Sequence, residues 1–226
     1  LIAFTDIDCI PDAAWLRFLV EGWDDDRYGG FVGRVQPSPT ANPIERWMAP
    51  FYDQEANLAS SPLPFAQGCN VAYRRDLFTR VGGFDENLVW WQDVEFGWRM
   101  QQHTPYRYRW NALAVISHQN RSTLRGVAKK FFGRGYGRAA VAKRLPALNR
   151  SPIGALALRG AFSASVQLGK LAVRSVTAPA WRASDPDAFL RPAFWFAFHG
   201  GMAVGLATGL CDLRNRTPHI PSVNGH

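Results

Sequence analysis

The sequence predicts an α/β fold, and three observations carry this prediction. The chain opens with an apolar run over residues 1–8 that is typical of a strand and ends in the carboxylates of Asp6 and Asp8. A helical spacing of apolar residues follows over 15–20, and a strand pattern with leading glycines follows over 28–35. Strands and helices that alternate in this way build open sheets, which bind ligands where their strands end.

The remaining elements continue the alternation. The first helix is expected to begin at Pro11 or Asp12, because both residues suit a first helical turn. Further strands are predicted at the end of 63–73, at 106–110 and at 114–116, and further helices at 44–57, 75–81 and 93–102. Residues 36–43 are rich in proline and predict a loop.

Composition limits the class of protein. With 226 residues, 47% of them hydrophobic and 19% charged, the chain is long and apolar enough for a globular domain with an appendage, which excludes a disordered protein. Cys9, Cys69 and Cys211 show no paired spacing, so a disulfide framework is not expected and a reducing compartment fits. The net charge of +8 comes mainly from residues after Arg99 and indicates an anionic partner.

Asp6 and Asp8 are the first candidate site. If the strand extends to Asp8, alternation places both carboxylates on one side of the sheet edge. Such a pair can hold a hard divalent cation together with phosphate oxygens. A pair of this kind alone is also typical of a solvated turn or a helix N-cap, so the assignment depends on the residues that follow.

Three later segments carry a family resemblance. They are 68–75 (GCNVAYRR), 81–86 (VGGFDE) and 91–99 (WQDVEFGWR). Together with the opening TDID and the VISH that ends at His118, they closely resemble the second half of glycosyltransferase family 2, an inverting family with a GT-A fold. The resemblance covers residues 1–121 and implies a GT-A-like, Rossmann-like mixed sheet. It also implies an N-terminally truncated domain, whose nucleotide-binding segment would precede Leu1 in a longer parent.

The resemblance assigns roles to residues of this chain. Asp93 is expected to be the general base, preceded by Gln92 where the family usually has a second acid. Asp8 and His118 are expected to bind Mn²⁺ or Mg²⁺, with Mn²⁺ slightly favoured because imidazole suits it better. Donor binding is expected from Asp6, Arg121 and Arg134, and acceptor binding from Gly68, Asn70, Trp90, Trp91 and Gln92.

The last hundred residues are expected to be a helical C-terminal appendage. Residues 122–150 form a basic helical segment whose glycines suit a lid over the donor. Residues 151–226 are expected to be helical, with 153–181 suited to lie on anionic lipid. Residues 193–213 approach the length of a membrane span and carry glycines four apart, and a buried hairpin is the alternative.

The expected function is metal-assisted, inverting transfer of a sugar from a nucleotide-sugar donor to a hydroxyl of a glycan or lipid-linked acceptor. The expected location is the cytoplasm, in contact with the inner face of the cell membrane. One alternative is a catalytically incomplete fragment that acts as a binding or structural module. Another is a phosphatase of the haloacid dehalogenase type, whose motif would be matched by Asp6 and Asp8. The residues that follow, Cys9 and Ile10, argue against it because they replace the pattern expected there. No nucleic-acid partner is expected. The positive net charge is the one feature that would suggest such a partner, and no motif supports it.

Overall fold

One mixed sheet organises the first half of the molecule. The computed structural model describes residues 1–60, 64–142, 152–176 and 187–213. Its strands are β1 (Ile2–Thr5), β2 (Cys9–Pro11), β3 (Tyr28–Pro37), β4 (Asn70–Tyr73) and β5 (Arg107–His118). Its helices are α1 (Trp15–Leu19), α2 (Pro43–Met48), α3 (Gln54–Ala59), α4 (Leu77–Arg80), α5 (Gln92–His103), α6 (Leu124–Ala142), α7 (Ile153–Val176) and α8 (Leu190–Leu213). A 3₁₀ turn, Ala49–Tyr52, joins α2 to α3.

The strand order in the sheet is β1-β4-β3-β5-β2. Strands β3 and β5 are parallel, whereas β4 pairs antiparallel with both β1 and β3, and β2 pairs antiparallel with β5. It follows that β1, β3 and β5 run in the same direction and end at the same edge. The predicted mixed α/β class is therefore confirmed, and the edge at which these three strands end carries the functional residues described below.

The opening strand is shorter than expected. It ends at Thr5, and the Cys9 N–H donates to the Asp6 carbonyl (3.1 Å), which closes a turn. Residues 9–11 then form β2, so the prediction that a helix begins at Pro11 or Asp12 is wrong and α1 begins at Trp15. A turn, and not strand alternation, therefore presents Asp6 and Asp8.

The two short strands expected near residues 106–116 are one strand. In the parallel pairing of β5 with β3, Gly33 lies opposite Asn111 and Arg34 opposite Val115, so β5 has three extra residues at this point. The Asn111 side chain stabilises the irregularity by accepting from the Leu113 N–H (3.0 Å) and donating to the Phe18 carbonyl (2.8 Å). The bulge breaks the apolar alternation, which explains why the sequence suggests two strands.

Helices cover both faces of the sheet. Alternation along β3 directs Phe31 towards α1 and Val32 towards α4 and α5. Tyr73 on β4 and Phe96 on α5 are fully buried in the second of these layers. These contacts fix the start of α5, and with it Asp93, relative to the sheet.

Helices α6 and α8 extend the core beyond the sheet. Val127 and Phe131 of α6 share a hydrophobic cluster with Ile116 of β5 and Phe194 of α8. Helix α6 packs as one wall of the molecule in this structure. The lid role expected for 122–150 stays a prediction, and residues 143–150 lie outside the described ranges.

The glycines of α8 serve a contact inside the protein. A Cβ atom on Gly205 would lie 2.1 Å from the Phe132 carbonyl oxygen of α6, and one on Gly201 would lie 2.4 Å from the Ala128 carbonyl oxygen. Among the described residues, α8 is the one helix that is long and apolar enough to cross a membrane, although core helices also meet that test. Here its small-residue face packs on α6.

Candidate functional site

Most of the predicted site residues line one cavity of about 1120 Å³. The wall includes Asp6, Asp8, Gly68, Trp90, Trp91, Gln92, Asp93, His118, Arg121 and Arg134. Asn70 is the predicted site residue that does not line it. Residues distant in the sequence thus meet where β1 and β5 end, as expected for an open α/β sheet.

His118 and Asp8 form the closest pair at the sheet edge. His118 is the last residue of β5 and is buried, and its Nε2 atom lies 3.6 Å from Asp8 Oδ1. The backbone holds the pair together, because the Gln119 N–H donates to the Asp8 carbonyl (2.9 Å). Arg121 approaches the other oxygen of Asp8 at 3.8 Å from an exposed position.

The hydrogen bonds of Asn120 define the protonation of His118. The Asn120 amide nitrogen donates to the Glu45 carbonyl (2.9 Å), so its oxygen faces His118 Nδ1 (3.1 Å) and accepts a hydrogen bond from the Nδ1–H group. Desolvation lowers the pKa of His118, which favours the neutral ring. Nε2 then carries a lone pair that faces a carboxylate oxygen.

This donor set fits a divalent metal. Two lone pairs face each other across 3.6 Å, and two ligands about 2.1 Å from one ion can lie up to about 4.2 Å apart. Cys9, paired with His118 across β2 and β5, adds a sulfur to the group, and all three ligand atoms lie within 4.8 Å of one another. A histidine whose other ring nitrogen is held by a hydrogen bond is typical of metal sites.

Asp93 lies in the first turn of α5, with both carboxylate oxygens fixed. The Gly68 N–H donates to Oδ2 (3.0 Å) and the Val94 N–H donates to Oδ1 (2.9 Å). Burial nevertheless raises the pKa of Asp93, against the effect of these two bonds. A carboxylate that is oriented, lines a cavity and has a raised pKa has the properties of a general base.

Gly68 and Asn70 have structural roles on either side of Cys69. Gly68 orients Asp93 through its backbone. The Asn70 amide donates to the carbonyls of Arg34 (2.8 Å) and Ala114 (2.9 Å) and accepts from Trp15 Nε1 (2.7 Å). The fully buried Asn70 side chain therefore joins β3, β5 and α1. It has no atom left for an acceptor sugar, so we reassign Asn70 to the framework of the site.

Trp90 and Trp91 connect the start of α5 to α6. A Cβ atom on Gly133 would lie 2.4 Å from Trp90 Nε1, and one on Gly137 would lie 2.5 Å from Trp91 Cδ1. Trp91 also has a positive φ of 72°, a strained backbone for a large residue that this packing maintains. Both rings line the cavity while they pack against the helix.

Helix α6 forms a cationic wall opposite the carboxylates. Lys130, Arg134 and Arg138 follow one another at intervals of four residues, so they lie along one side of the helix. Lys130 donates to the Tyr52 hydroxyl and lies 3.6 Å from the centre of that ring, and Tyr52 in turn lies 3.9 Å from the His118 ring. Arg134 donates to the Phe51 carbonyl (3.2 Å).

Charge in the cavity is unbalanced. The cations in the described part of its wall are Arg121, Lys129, Lys130, Arg134, Arg138 and Arg159, and the carboxylates are Asp6, Asp8 and Asp93. Burial, helped by Arg134, lowers the pKa of Lys130 to about 7, and desolvation followed by the charge of Asp8 raises the pKa of Asp6. An anionic ligand would relieve the excess positive charge.

Hydrogen-bond donors also await partners here. Among the described residues, four buried side-chain nitrogens lack a hydrogen-bond partner, and three of them belong to residues that line this cavity: Asn57, Trp98 and Arg138. Buried donors without acceptors are rare in proteins. Three of the four therefore lie in the packing around this cavity.

Sequence reasoning missed Cys9, Tyr52 and Lys130 as parts of the site. Cys9 belongs to the short strand β2, which no sequence pattern predicts, and Tyr52 lies in a 3₁₀ turn. Lys130 lies in a run of basic residues, and no local sequence feature distinguishes it from its neighbours. The four-residue spacing of Lys130, Arg134 and Arg138 is the signal that a helical projection could have used.

The chain is similar to known glycosyltransferases. No protein-family model matches it. A pre-mycofactocin glycosyltransferase of Mycobacterium tuberculosis (strain H37Rv) is 28% identical over 139 residues, which are 58% of this chain and 29% of the relative. An O-antigen chain rhamnosyltransferase of Salmonella typhimurium is 24% identical over 144 residues, 60% of this chain and 46% of the relative.

The matched segment thus spans less than half the length of each relative. Both relatives are named as enzymes that transfer sugars, and the cavity offers the carboxylates and cations that such a transfer uses. The similarity therefore supports glycosyl transfer as the general class of activity of this chain.

Proposed function

We propose that this protein transfers a sugar from a nucleotide-sugar donor to an acceptor hydroxyl with inversion of the anomeric centre, in a GT-A-like site assisted by Mn²⁺ or Mg²⁺. The observation that carries the proposal is the convergence of Asp93, the Asp8–His118 pair and the cationic side of α6 on one cavity. A base, a metal site and a phosphate-binding wall are the three parts that this reaction needs.

Asp93 is the proposed base. The acceptor hydroxyl gives its proton to the Asp93 carboxylate while its oxygen forms the new bond to the anomeric carbon. The bond from that carbon to the donor phosphate breaks, and the nucleoside diphosphate leaves with the electron pair. The N–H groups of Gly68 and Val94 hold the carboxylate for this transfer, and its raised pKa improves it as a base at neutral pH.

Asp8 and His118 are the proposed metal ligands, with Cys9 beside them. A divalent metal held there would stabilise, as a Lewis acid, the negative charge that grows on the departing diphosphate. Asn120 would keep the His118 Nε2 lone pair directed at that position. Asp6 follows β1 at the same edge, where the resemblance places the nucleotide ribose.

Arg134 and Arg121 are the proposed donor contacts, with Lys130 as an addition from the structure. Arginine donors in a cavity of low polarity bind phosphate oxygens strongly. Lys130 and Arg134 are mostly buried and held by Tyr52 and Phe51, so little further ordering is needed when a diphosphate binds.

Trp90, Trp91 and Gln92 are the proposed acceptor contacts. All three line the cavity and immediately precede Asp93. A tryptophan face suits the apolar face of a sugar ring, and the packing of both rings on α6 provides a rigid platform. The acceptor is proposed to be a glycan or a lipid-linked sugar.

The test is a panel of UDP-, GDP- and dTDP-sugars with Mn²⁺, in which release of nucleoside diphosphate is measured with and without chelator. We expect activity with at least one donor, and a loss of about 10²–10⁴-fold in Asp93→Asn. Asp24→Asn, an exposed aspartate outside the cavity, is the matched control and should retain full activity.

Three results would overturn parts of the proposal. Wild-type activity in Asp93→Asn would remove the base. Retention of the anomeric configuration, read by NMR of the product, would remove the inverting mechanism. An aspartyl-phosphate trapped on Asp6, and absent in Asp6→Asn, would assign the cavity to a phosphatase.

A further inference from the structure

A second, smaller cavity lies between α7 and α8, outside the site described above. It measures about 410 Å³ and is lined by Gln167, Lys170, Arg174, Arg191, Pro192, Trp195 and His199. Three of these residues are cations, and none is an acid. Arg174 also donates to the Ala188 carbonyl, which fixes the guanidinium at the start of α8. The cavity therefore suits a compact anion.

The outer side of α7 is apolar over most of its length. Leu158, Phe162, Val173 and Val176 are exposed by 74%, 72%, 64% and 85%. The steps between them are 4, 11 and 3 residues, which keep all four within about 60° on one side of the helix. From Leu158 to Val176 this side is about 27 Å long at 1.5 Å per residue. A soluble surface rarely exposes so long an apolar side without a partner.

The inner side of α7 is occupied by the protein itself. Ile153 shares a hydrophobic cluster with Leu206 of α8, and a Cβ atom on Gly160 would lie 3.1 Å from the Ala203 side chain. Helix α7 is thus held firmly on α8 with its apolar side outward. A small rotation of α7 would therefore not bury its exposed side against the rest of the described chain.

The charge on these two helices selects a partner. Helix α7 contains Arg159, Lys170 and Arg174 and no acid, and α8 contains Arg191 with Asp212 as its one acid. Trp195 lines the small cavity, and both Trp195 and Phe196 are partly exposed on α8. Aromatic rings of this kind suit the level of lipid headgroups. An apolar side with cations along its border matches an anionic bilayer surface.

We propose that α7 lies in the surface of a membrane that contains anionic phospholipid, and that one phosphate headgroup binds between Lys170, Arg174 and Arg191. The acyl chains contact Leu158, Phe162, Val173 and Val176. The membrane contact proposed here is that of α7, whose apolar side is exposed while α8 packs its glycine face on α6. This proposal does not depend on the transferase activity.

The test is co-sedimentation of the chain with phosphatidylcholine vesicles, with and without phosphatidylglycerol. We expect binding to the anionic vesicles only. Phe162→Glu should lower the bound fraction at least about tenfold by removing apolar contact. The pair Lys170→Gln and Arg191→Gln should lower the affinity about 25-fold, since each base contributes about fivefold near an anionic surface.

Matched controls separate the effect from folding and from charge alone. Val89→Glu changes an apolar residue that is 65% exposed elsewhere, and Arg125→Gln removes an exposed base from α6; both should bind as wild type. A Phe162→Trp variant should shift its fluorescence to the blue when anionic vesicles are added. That readout requires no change of charge on α7.

Equal binding to both kinds of vesicle would overturn the headgroup site, and no binding to either would overturn the proposal. A dimer that forms without lipid and disappears in Phe162→Glu would assign the apolar side to a second copy of the chain instead. None of these assays needs a sugar nucleotide, so failure here and failure of the proposed transfer reaction are told apart.

Discussion

In the large cavity, the wall that carries the acids and the α6 wall that carries the bases have opposite charges. Burial shifts the pKa values of the two sets of groups in opposite directions. It raises the pKa of Asp6 and Asp93 on the first wall, and it lowers the pKa of Lys130 and Arg134 on the second. In both cases the low polarity of the cavity disfavours the charged form. Neither wall neutralises the other fully, so each keeps a demand for a ligand: a cation at the acids and an anion at the bases.

The largest test of the cationic wall is Arg134→Gln. We expect kcat/KM for the donor found in the panel to fall about 10²–10³-fold, because a buried donor group to the diphosphate is lost. Arg125→Gln, on the exposed side of the same helix, should leave kcat/KM unchanged. If the two variants behave alike, the α6 wall does not bind the donor.

The next test concerns the metal pair on the acidic wall. Asn120→Leu removes the acceptor that keeps the His118 proton on Nδ1. We expect the Mn²⁺ concentration for half-maximal activity to rise about 10–100-fold, as when other metal-binding histidines lose the partner that orients them. Asn87→Leu, an exposed change, is the control. An unchanged Mn²⁺ requirement in Asn120→Leu would contradict the proposal that His118 binds the metal.

Lys130→Met tests the strain of burying a base. The pKa of Lys130 falls from an ordinary 10.5 to about 7, so between these values the unfolded chain binds more protons than the folded one. Wild-type stability should then rise with pH by about 1.4 kcal/mol per unit through this group. Lys130→Met should lack this rise and be most favoured over wild type at and below about pH 7.

Urea denaturation at pH 7 and pH 9 measures this difference. The exposed neighbour provides the control, since Lys129→Met should keep the wild-type slope. Parallel slopes in wild type and Lys130→Met would show that the lysine carries its charge in the folded protein at no cost.

The smallest effect is a displacement of the acid limb of the pH profile. As pH falls, protonation of Asp93 removes the base and kcat/KM declines. Because burial raises the pKa of Asp93, this decline should begin at a higher pH than for an ordinary aspartate. The residual activity of Asp93→Asn should lack the limb; a limb that survives in that variant belongs to another group.

The sequence was sufficient to predict the mixed α/β class and most of the residues that meet at the cavity. The acidic end of the opening apolar run pointed to Asp8, and the resemblance to glycosyltransferase family 2 pointed to Asp93 and His118. The ends of the elements that precede or carry these residues lie at one edge of the sheet. Their roles in catalysis stay predictions.

Packing decided what the sequence could not. Asn70 has the same neighbours in the sequence whether its amide faces the cavity or the core, and only the positions of Arg34, Ala114 and Trp15 direct it inward. The turn after Thr5 was hidden because Ile7 continues the apolar run, although its side chain is fully exposed. Such cases depend on tertiary contacts that no local pattern encodes.

The glycines of α6 have a consequence for how such a pocket can change. Gly133 and Gly137 contact the two tryptophans, and Gly135 contacts the backbone of α8 at Met202. The absence of a side chain at these glycines thus sets the distance between the acidic and basic walls. A single methyl group at any of these positions would force the packed surfaces apart. Substitutions at these glycines could therefore change the width of the cavity, and with it the size of substrate that fits, while every reactive group stays the same.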